Sequence, residues 1–323
     1  MFNDMSAPTA KLKLVRRANE ILKNSLKKCL ICPRKCGVDR TAGELGYCRA
    51  GDKPVVYSYL AHHGEEPPLS GNRGSGTIFF SHCNMKCAYC QNYYFSQKGE
   101  GKETSIESLA RIMLSLQEGG CHNINLVTPT HFVPQILSAL EIAFDEGLNI
   151  PIVYNTSGYD LPETIRLLRG IVDIYLPDMR YSSNEMAIRY SGAPNYVEYN
   201  RESIKEMHAQ VGDLIMGKDD IAVKGMIIRL LVLPKGISGT PDSLRFIENN
   251  LGKSMYLSIM SQYHPTHKAG EFKELCARIT KDEYQNVVDE AKKLGLNNGW
   301  IQEAPDFDPK FLGTNIKQRN CGT

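Results

Sequence analysis

Residues 76–92, "GTIFFSHCNMKCAYCQN", join an apolar run rich in β-branched and aromatic residues directly to three cysteines, Cys83, Cys87 and Cys90. The run predicts a buried strand, and the C-x3-C-x2-C spacing that follows places three thiols on one short loop. Thiolates are soft ligands that suit zinc, copper(I) or iron–sulfur clusters. Structural zinc takes a closed shell of four ligands, so zinc here needs a further donor such as His82. A cubane [4Fe–4S] cluster held by three thiolates instead leaves one iron open to an outside ligand, and an open iron is reactive.

Outward from this loop, short strand-like runs alternate with longer amphipathic ones. The strand candidates after "GTIFFS" are "NINLVTP" from Asn123, "IPIVYNT" from Ile150, "VDIYLPD" from Val172, "GMIIRLLVLP" from Gly225 and "MYLSIMS" from Met255. Helix candidates lie between them, among them "SIESLARIMLSLQEGG", "VPQILSALEIAFDEG" and "PDSLRFIENN", each opening near Ser, Pro or Asp. This alternation predicts an α/β fold with a parallel sheet and right-handed crossovers, curled toward a barrel or laid out doubly wound. In either form ligands collect at the C-terminal strand ends. The polar residues at those ends are Ser81 to Cys83, Thr128 to His131, Asn155 to Ser157, Asp178 to Arg180, and Ser261 to His264, all expected around one cavity. Each has a plainer reading. Asn155 and Ser157 suit a strand-to-helix turn, Asp178 and Arg180 share a strand face and suit a structural ion pair, and His264 suits a hydrogen bond at the edge of the core.

Lys and Arg number 38 against 36 Asp and Glu, a net charge of +2, so charge draws the chain to neither nucleic acid nor membrane. "GMIIRLLVLP" is broken by Arg229, and no apolar run reaches the roughly 18 residues of a membrane span. The N-terminal 29 residues are basic, carry Asp4 and Glu20 and lack the apolar core of a secretory signal, so a cytoplasmic location is expected. They predict an amphipathic helix with Leu14, Ala18, Ile21 and Leu22 on one face.

Ten cysteines without such a signal point to reduced thiols that bind metal or do chemistry. Four of them form a second set, Cys29, Cys32, Cys36 and Cys48, spaced C-x2-C-x3-C-x11-C with Gly37, Gly43 and Gly46 available for tight turns. Zinc and an auxiliary [4Fe–4S] cluster both satisfy this donor set. Trp300 and Phe307 in "WIQEAPDFDPKFLG" are expected to pack at the barrel mouth, and Cys321 in the tail is expected to be a bystander.

"CNMKCAYCQN" resembles the radical S-adenosylmethionine (SAM) signature, in which an aromatic residue, here Tyr89, precedes the last cysteine. The resemblance implies that the open iron binds the amino and carboxylate groups of SAM. One electron from the reduced cluster then cleaves SAM to methionine and a 5′-deoxyadenosyl radical. It also implies a partial (β/α)6 TIM-like barrel of the radical SAM type, here behind a small N-terminal cysteine-rich segment. Longer segments are similar to the relatives of pyruvate formate-lyase activating enzyme: "HGEEPPLSGNRGSGTIFFSHCN" before the loop, "YNTSGYD", "VDIYLPDMR" and "SQYHPTHKA" after it. Together with the four-cysteine segment and "NLVTPTHF", they resemble the PflX-type group of those relatives.

Carried over residue by residue, the resemblance makes Cys83, Cys87 and Cys90 cluster ligands and sets Tyr89, Asn155, Ser157 and Asp178 around SAM, with Arg180 and His264 at the reacting end. Arg180 would hold the methionyl carboxylate through its guanidinium fork. Two positions depart from the family. Its Gly-Gly-Glu segment, which accepts the SAM ammonium, is replaced by "NINLVTPTHF", leaving Thr128, Thr130 and His131 as acceptors. Its glycine before the cluster loop is His82, an imidazole able to hydrogen-bond a cluster sulfur.

Three units are expected: residues 1–62, a helix and cysteine-rich metal-binding segment; 63–270, the partial barrel; and 271–323, a helix and tail packing on it. The function expected is reductive SAM cleavage for hydrogen abstraction, by an oxidoreductase served by an electron donor such as flavodoxin or ferredoxin. A glycyl residue of a partner enzyme, another protein side chain or a small metabolite would be the substrate. The alternative is a non-catalytic zinc or iron–sulfur electron-transfer protein, which leaves the polar strand ends without purpose.

Overall fold

The structure, a computed structural model, describes residues 7–301. The six expected strands form as β2 (Ser75–Phe80), β4 (Ile124–Val127), β5 (Ile152–Thr156), β6 (Ile174–Pro177), β8 (Ala222–Leu231) and β9 (Tyr256–Met260). They lie side by side in that order, every neighbouring pair parallel. Four further strands extend or flank this set: β1 (Val55–His62), β3 (Lys102–Glu103), β7 (Ile215–Met216) and β10 (Gly299–Ile301). β1 is antiparallel to β2 and to β3, β7 is antiparallel to β8, and β10 is parallel to β9. Among the described residues β3 and β10 are the two edges and do not pair, so the sheet is a curled, unclosed barrel.

The helices are α1 (Ala7–Leu22), α2 (Pro67–Ser70), α3 (Tyr93–Ser96), α4 (Ile106–Glu118), α5 (Val133–Asp145), α6 (Pro162–Leu167), α7 (Asn184–Ser191), α8 (Tyr196–Val211), α9 (Thr240–Asn250) and α10 (Lys281–Lys293). Those that begin cleanly show why: Ser105 caps α4 and Ser183 caps α7, while Thr280 and Glu283 form a reciprocal box at the start of α10. No helix among the described residues is long and apolar enough to cross a membrane.

Strand alternation sorts the interior into two apolar layers. Ile78, Phe80, Leu126, Tyr154, Tyr175 and Ile228 face the helices and join the main core. Val153, Ile174, Leu176 and Ile227 face the barrel lumen, where Leu69 of α2 packs among them as a floor. Trp300, partly buried, packs against this lumen layer with its ring tilted over that of Tyr256, the first residue of β9, the centroids 5.7 Å apart. It therefore does not pack at the mouth; the added strand β10 points its ring inward. Phe307 and Cys321 lie outside the described residues.

The apolar face of α1 also differs from expectation. Val15 and Ala18 are buried against α5 with Leu12 and Leu22 beside them, whereas Leu14 and Ile21 are 39% and 58% exposed. Lys11 on the same helix pairs with Asp173, which lies just before β6. The surface of α5 thus buries a stripe rotated by about one residue from the one that the spacing predicts.

Candidate active site

Cys83, Cys87 and Cys90 leave the C-terminal end of β2 on a loop anchored at several points. Met85 donates its N–H to Cys83 Sγ at 3.3 Å, Lys86 and Ala88 donate theirs to Ser191 O and Tyr190 O, and Cys90 Sγ lies 3.2 Å from Ser96 Oγ. Burial pushes the Cys83 thiol up to about 12 and raises that of Cys90, with Cys87 adding to both. Thiols so placed ionise readily only when a cation shares them. Tyr89 is buried beneath the loop, its hydroxyl 2.8 Å from that of Tyr181 and its ring 5.9 Å from Tyr263.

His82 holds a left-handed backbone, φ 71°, which explains why a glycine suits this position in the resembling family. Its ring lies where a side chain at residue 99 would stand, 2.7 Å from that ideal Cβ, so Gly99 makes room for it. Burial and then the charges of Lys86, Arg49 and Arg40 hold the imidazole down to about 4, so it is neutral near pH 7.

Below the loop, one network ties three strands together. Arg229 on β8 donates Nε–H to Asp178 Oδ1 at 2.8 Å and Nη2–H to Asn155 Oδ1 at 2.5 Å. Arg180 donates Nη2–H to the other Asp178 oxygen at 2.5 Å, leaving its buried Nε unpartnered. The ion pair expected between Asp178 and Arg180 is present, and the lumen position expected for Asn155 is its contact with Arg229. Ser157 at the end of β5 has a buried hydroxyl without a partner. His264, 9% exposed, meets Gln91 of the thiol loop at 3.3 Å, and burial lowers its pKa.

Arg229 is the residue that sequence reading missed. It entered only as an interruption of an apolar run, yet a cation inside a central strand must find partners, and that was the available signal. Glu65 and Glu66, quoted within "HGEEPP", were missed in the same way. The Glu65 side chain is 8% exposed, 3.7 Å from Arg229, and burial and then Glu66 push its carboxyl up to about 7.

Two expected ammonium acceptors are engaged elsewhere. Thr130 donates its hydroxyl to Asp160 Oδ1 at 2.7 Å and meets Thr156 Oγ1, on the face of β5 opposite Asn155. His131 is 1% exposed, donates Nε2–H to Ser81 O at 2.8 Å, and is held down to about 3 by burial first. The pattern of polar residues located the strand end, but Thr130 and His131 lie past it, on a short 3-10 turn (Thr130–Phe132) that leads into α5 and carries them to Asp160 and Ser81. Thr128 remains, half-buried, with φ 58° in the region that favours glycine.

The second cysteine set abuts the first. Cys29, Cys32 and Cys48 are buried and Cys36 is exposed, on a segment closed by Cys29 N–H to Val38 O and Gly37 N–H to Cys29 O. Burial pushes Cys32 up to about 12, with Cys48, Cys29 and Cys36 close enough to add to it. Arg34 donates Nε–H to Asn84 O at 2.8 Å and Nη2–H to Gly192 O at 2.5 Å, and stacks on Tyr47 at 3.5 Å. Among the described residues no three His, Cys, Asp or Glu side chains already form a ready metal shell. The fit of either set to a metal therefore rests on donor chemistry: three soft thiols on one loop, and four on the segment beside it.

This fold and loop define a radical SAM protein. Residues 77–217 match the family model described as the radical SAM superfamily, and the chain belongs to that superfamily and is an enzyme. The family implies a [4Fe–4S] cluster and SAM, and hence radical SAM catalysis. The chain is 32% identical over 306 residues to "Uncharacterized protein MJ0674" of Methanocaldococcus jannaschii, covering 92% of this chain and 83% of that one. Similar solved structures include HydG, a maturase of the [FeFe]-hydrogenase, at TM-score 0.47 and 14% identity over 71% of this chain and 52% of that one. HydG from Carboxydothermus hydrogenoformans gives TM-score 0.47 and 12% identity, covering 94% and 73%. Methylornithine synthase (PylB) gives 0.42 and 15%, covering 68% and 61%. This chain thus spans about half the length of the first of these.

Proposed function

We propose that Cys83, Cys87 and Cys90 hold the site-differentiated cluster and that Asn155, Ser157, Asp178 and Arg180, joined by Arg229, form the polar wall that receives SAM. When bound, the cluster supplies one electron for the cleavage of SAM, and the adenosyl radical removes hydrogen from an unactivated C–H bond. The observation that carries this reading is the single file of groups below the thiol loop, from Arg180 through Asp178 and Arg229 to Asn155. A fixed guanidinium with an unpartnered N–H suits a carboxylate such as that of SAM. Tyr89 shapes the loop from below, Thr128 offers a hydroxyl toward the ammonium, and His264 stands beside the loop.

Cys29, Cys32, Cys36 and Cys48 hold a second metal, zinc or [4Fe–4S], in a segment that braces the first loop. Residues 1–62, 63–270 and 271–323 are the functional units of this reading, with β1 contributed to the sheet by the first. The finer placement, with PflX-type relatives of pyruvate formate-lyase activating enzyme, is supported by the same motifs. On that reading a flavodoxin or ferredoxin delivers the electron in the cytoplasm, and the substrate is a glycyl residue, another side chain or a small molecule.

The test is anaerobic reconstitution, followed by incubation with dithionite and SAM. The parent chain is expected to release 5′-deoxyadenosine and Cys87→Ala to release none. Release unchanged by the substitution, or none from fully reconstituted parent, refutes the reading. Iron, sulfide and zinc measured on the same sample decide the metal at the second set.

A further inference from the structure

Beneath the Asn155–Arg229–Asp178 layer, the barrel carries hydrogen-bond acceptors that no group among the described residues satisfies. β1 ends at His62 opposite Ser75, the first residue of β2, whereas the thiol loop follows the other end of β2. Glu65 and Glu66 therefore enter from the N-terminal end of the strands, on the segment whose Leu69 forms the floor. Glu66 is 8% exposed, and its Oε2 is buried without a partner. Asn125, 0% exposed, donates Nδ2–H to Thr77 Oγ1 at 3.4 Å, lies near enough to Glu65 to favour its ionised form, and likewise leaves its Oδ1 without a partner. Orphaned buried acceptors call for a donor.

The charges point the same way. Glu65, Glu66 and Asp178 surround Arg229, which with Arg180 makes two guanidiniums against three carboxyl groups, Glu65 being about half ionised at pH 7 because burial and Glu66 push it up to about 7. His62, 3.6 Å from Glu65, adds no charge near pH 7, because burial lowers its pKa. Nor do the cofactors cancel the surplus: a doubly positive cubane core on three thiolates is singly negative, and SAM is singly positive.

Resting on the radical SAM reading above, we infer that Glu65, Glu66 and Asn125 form the floor of a substrate site that takes the cationic end of a small organic molecule, a primary amine. The amine N–H groups fill the orphaned acceptors, and its charge holds Glu65 in the ionised form.

The experiment is calorimetric titration of the reconstituted full chain, loaded with SAM, using three probes of similar length: putrescine, butane-1,4-diol and succinate. Putrescine is expected to bind at least about tenfold more tightly than either of the others. Glu65→Gln and Glu66→Gln are each expected to weaken it by about tenfold, while Glu163→Gln, on the exposed side of α6, leaves it unchanged. Equal binding of the three probes, no binding of putrescine, or putrescine binding undiminished in both variants overturns the inference. The parent chain's own selectivity needs no variant to fold. Deoxyadenosine release from the same sample judges the radical chemistry separately: putrescine selectivity without release keeps the amine site and strikes the proposed function, and release without selectivity does the reverse.

Discussion

Arg34 donates its Nε–H to the carbonyl of Asn84 at 2.8 Å, so a residue between Cys32 and Cys36 holds the backbone between Cys83 and Cys87. The two cysteine sets are one side chain apart. Asn84 passes the contact on by donating Nδ2–H to Tyr159 O at 2.7 Å, which ties the loop to the end of β5. The N-terminal segment is therefore part of the support of the thiol loop.

Arg34→Ala removes the donors to Asn84 O and Gly192 O together. Each half-buried carbonyl left without its charged partner costs about 1–3 kcal/mol. The expected outcome is a lower thermal midpoint and less iron retained per chain after reconstitution. Unchanged iron content and midpoint would show that the brace is dispensable.

Arg229→Met leaves Asp178 with Arg180 alone and removes the cation shared by Asn155 and Glu65, so that the carboxylates of the floor face one another. Removing one partner of a buried pair costs about 3–5 kcal/mol, far more than an exposed pair is worth. Denaturant unfolding is expected to show that loss at pH 7, and Arg229→Lys to recover only part of it, because a point charge cannot reach Asp178 and Asn155 together. A loss under about 1 kcal/mol for the Met variant contradicts this account.

The buried carboxyl of Glu65 gives stability a pH dependence of definite sign. Its folded pKa, about 7, lies above the ordinary 4.5, so the group prefers the folded state when protonated. Its contribution is complete below about pH 4.5 and is lost as pH rises through about 7. Across that window the parent is expected to lose stability relative to Glu65→Gln, by an amount on the order of 1–3 kcal/mol. Parallel stability profiles for the two proteins would refute it.

Thr128 holds a left-handed backbone with a β-branched side chain. That strain costs about 1–2 kcal/mol, and glycine would relieve it at about 0.5–1 kcal/mol of chain entropy. Thr128→Gly is thus expected to be neutral or to raise the thermal midpoint, the reverse of most substitutions at a strand end. A clear fall would show that the threonine hydroxyl holds the turn.

Much of the architecture was legible because its signals are local. All six parallel strands were marked by apolar runs bounded by turn residues, α4 by its Ser105 cap, α5 and α9 by a proline in the first turn, and all three helices by amphipathic spacing. The short edge strands β3 and β10 were not, since two or three residues carry no period and pair only because a neighbour offers a free edge. At the site, Asp178 with Arg180 followed from strand alternation, whereas Thr130 and His131 followed only from proximity in sequence and lie past the strand end, on the turn into α5.

What the sequence determined by itself is the chemistry of the loop: three thiols at close spacing behind a buried strand are present whatever the rest of the chain does, because chain connectivity alone keeps them together. Only the tertiary structure decided that Glu65, Asn125, Asn155, Asp178 and Arg229, spread over 165 positions, share one lumen, and that Arg34 reaches Asn84. Those meetings arise from the curl of the sheet and the insertion of α2 as its floor. Long-range packing of that kind sets which charges are stripped of water and must find one another, and no spacing along the chain encodes it.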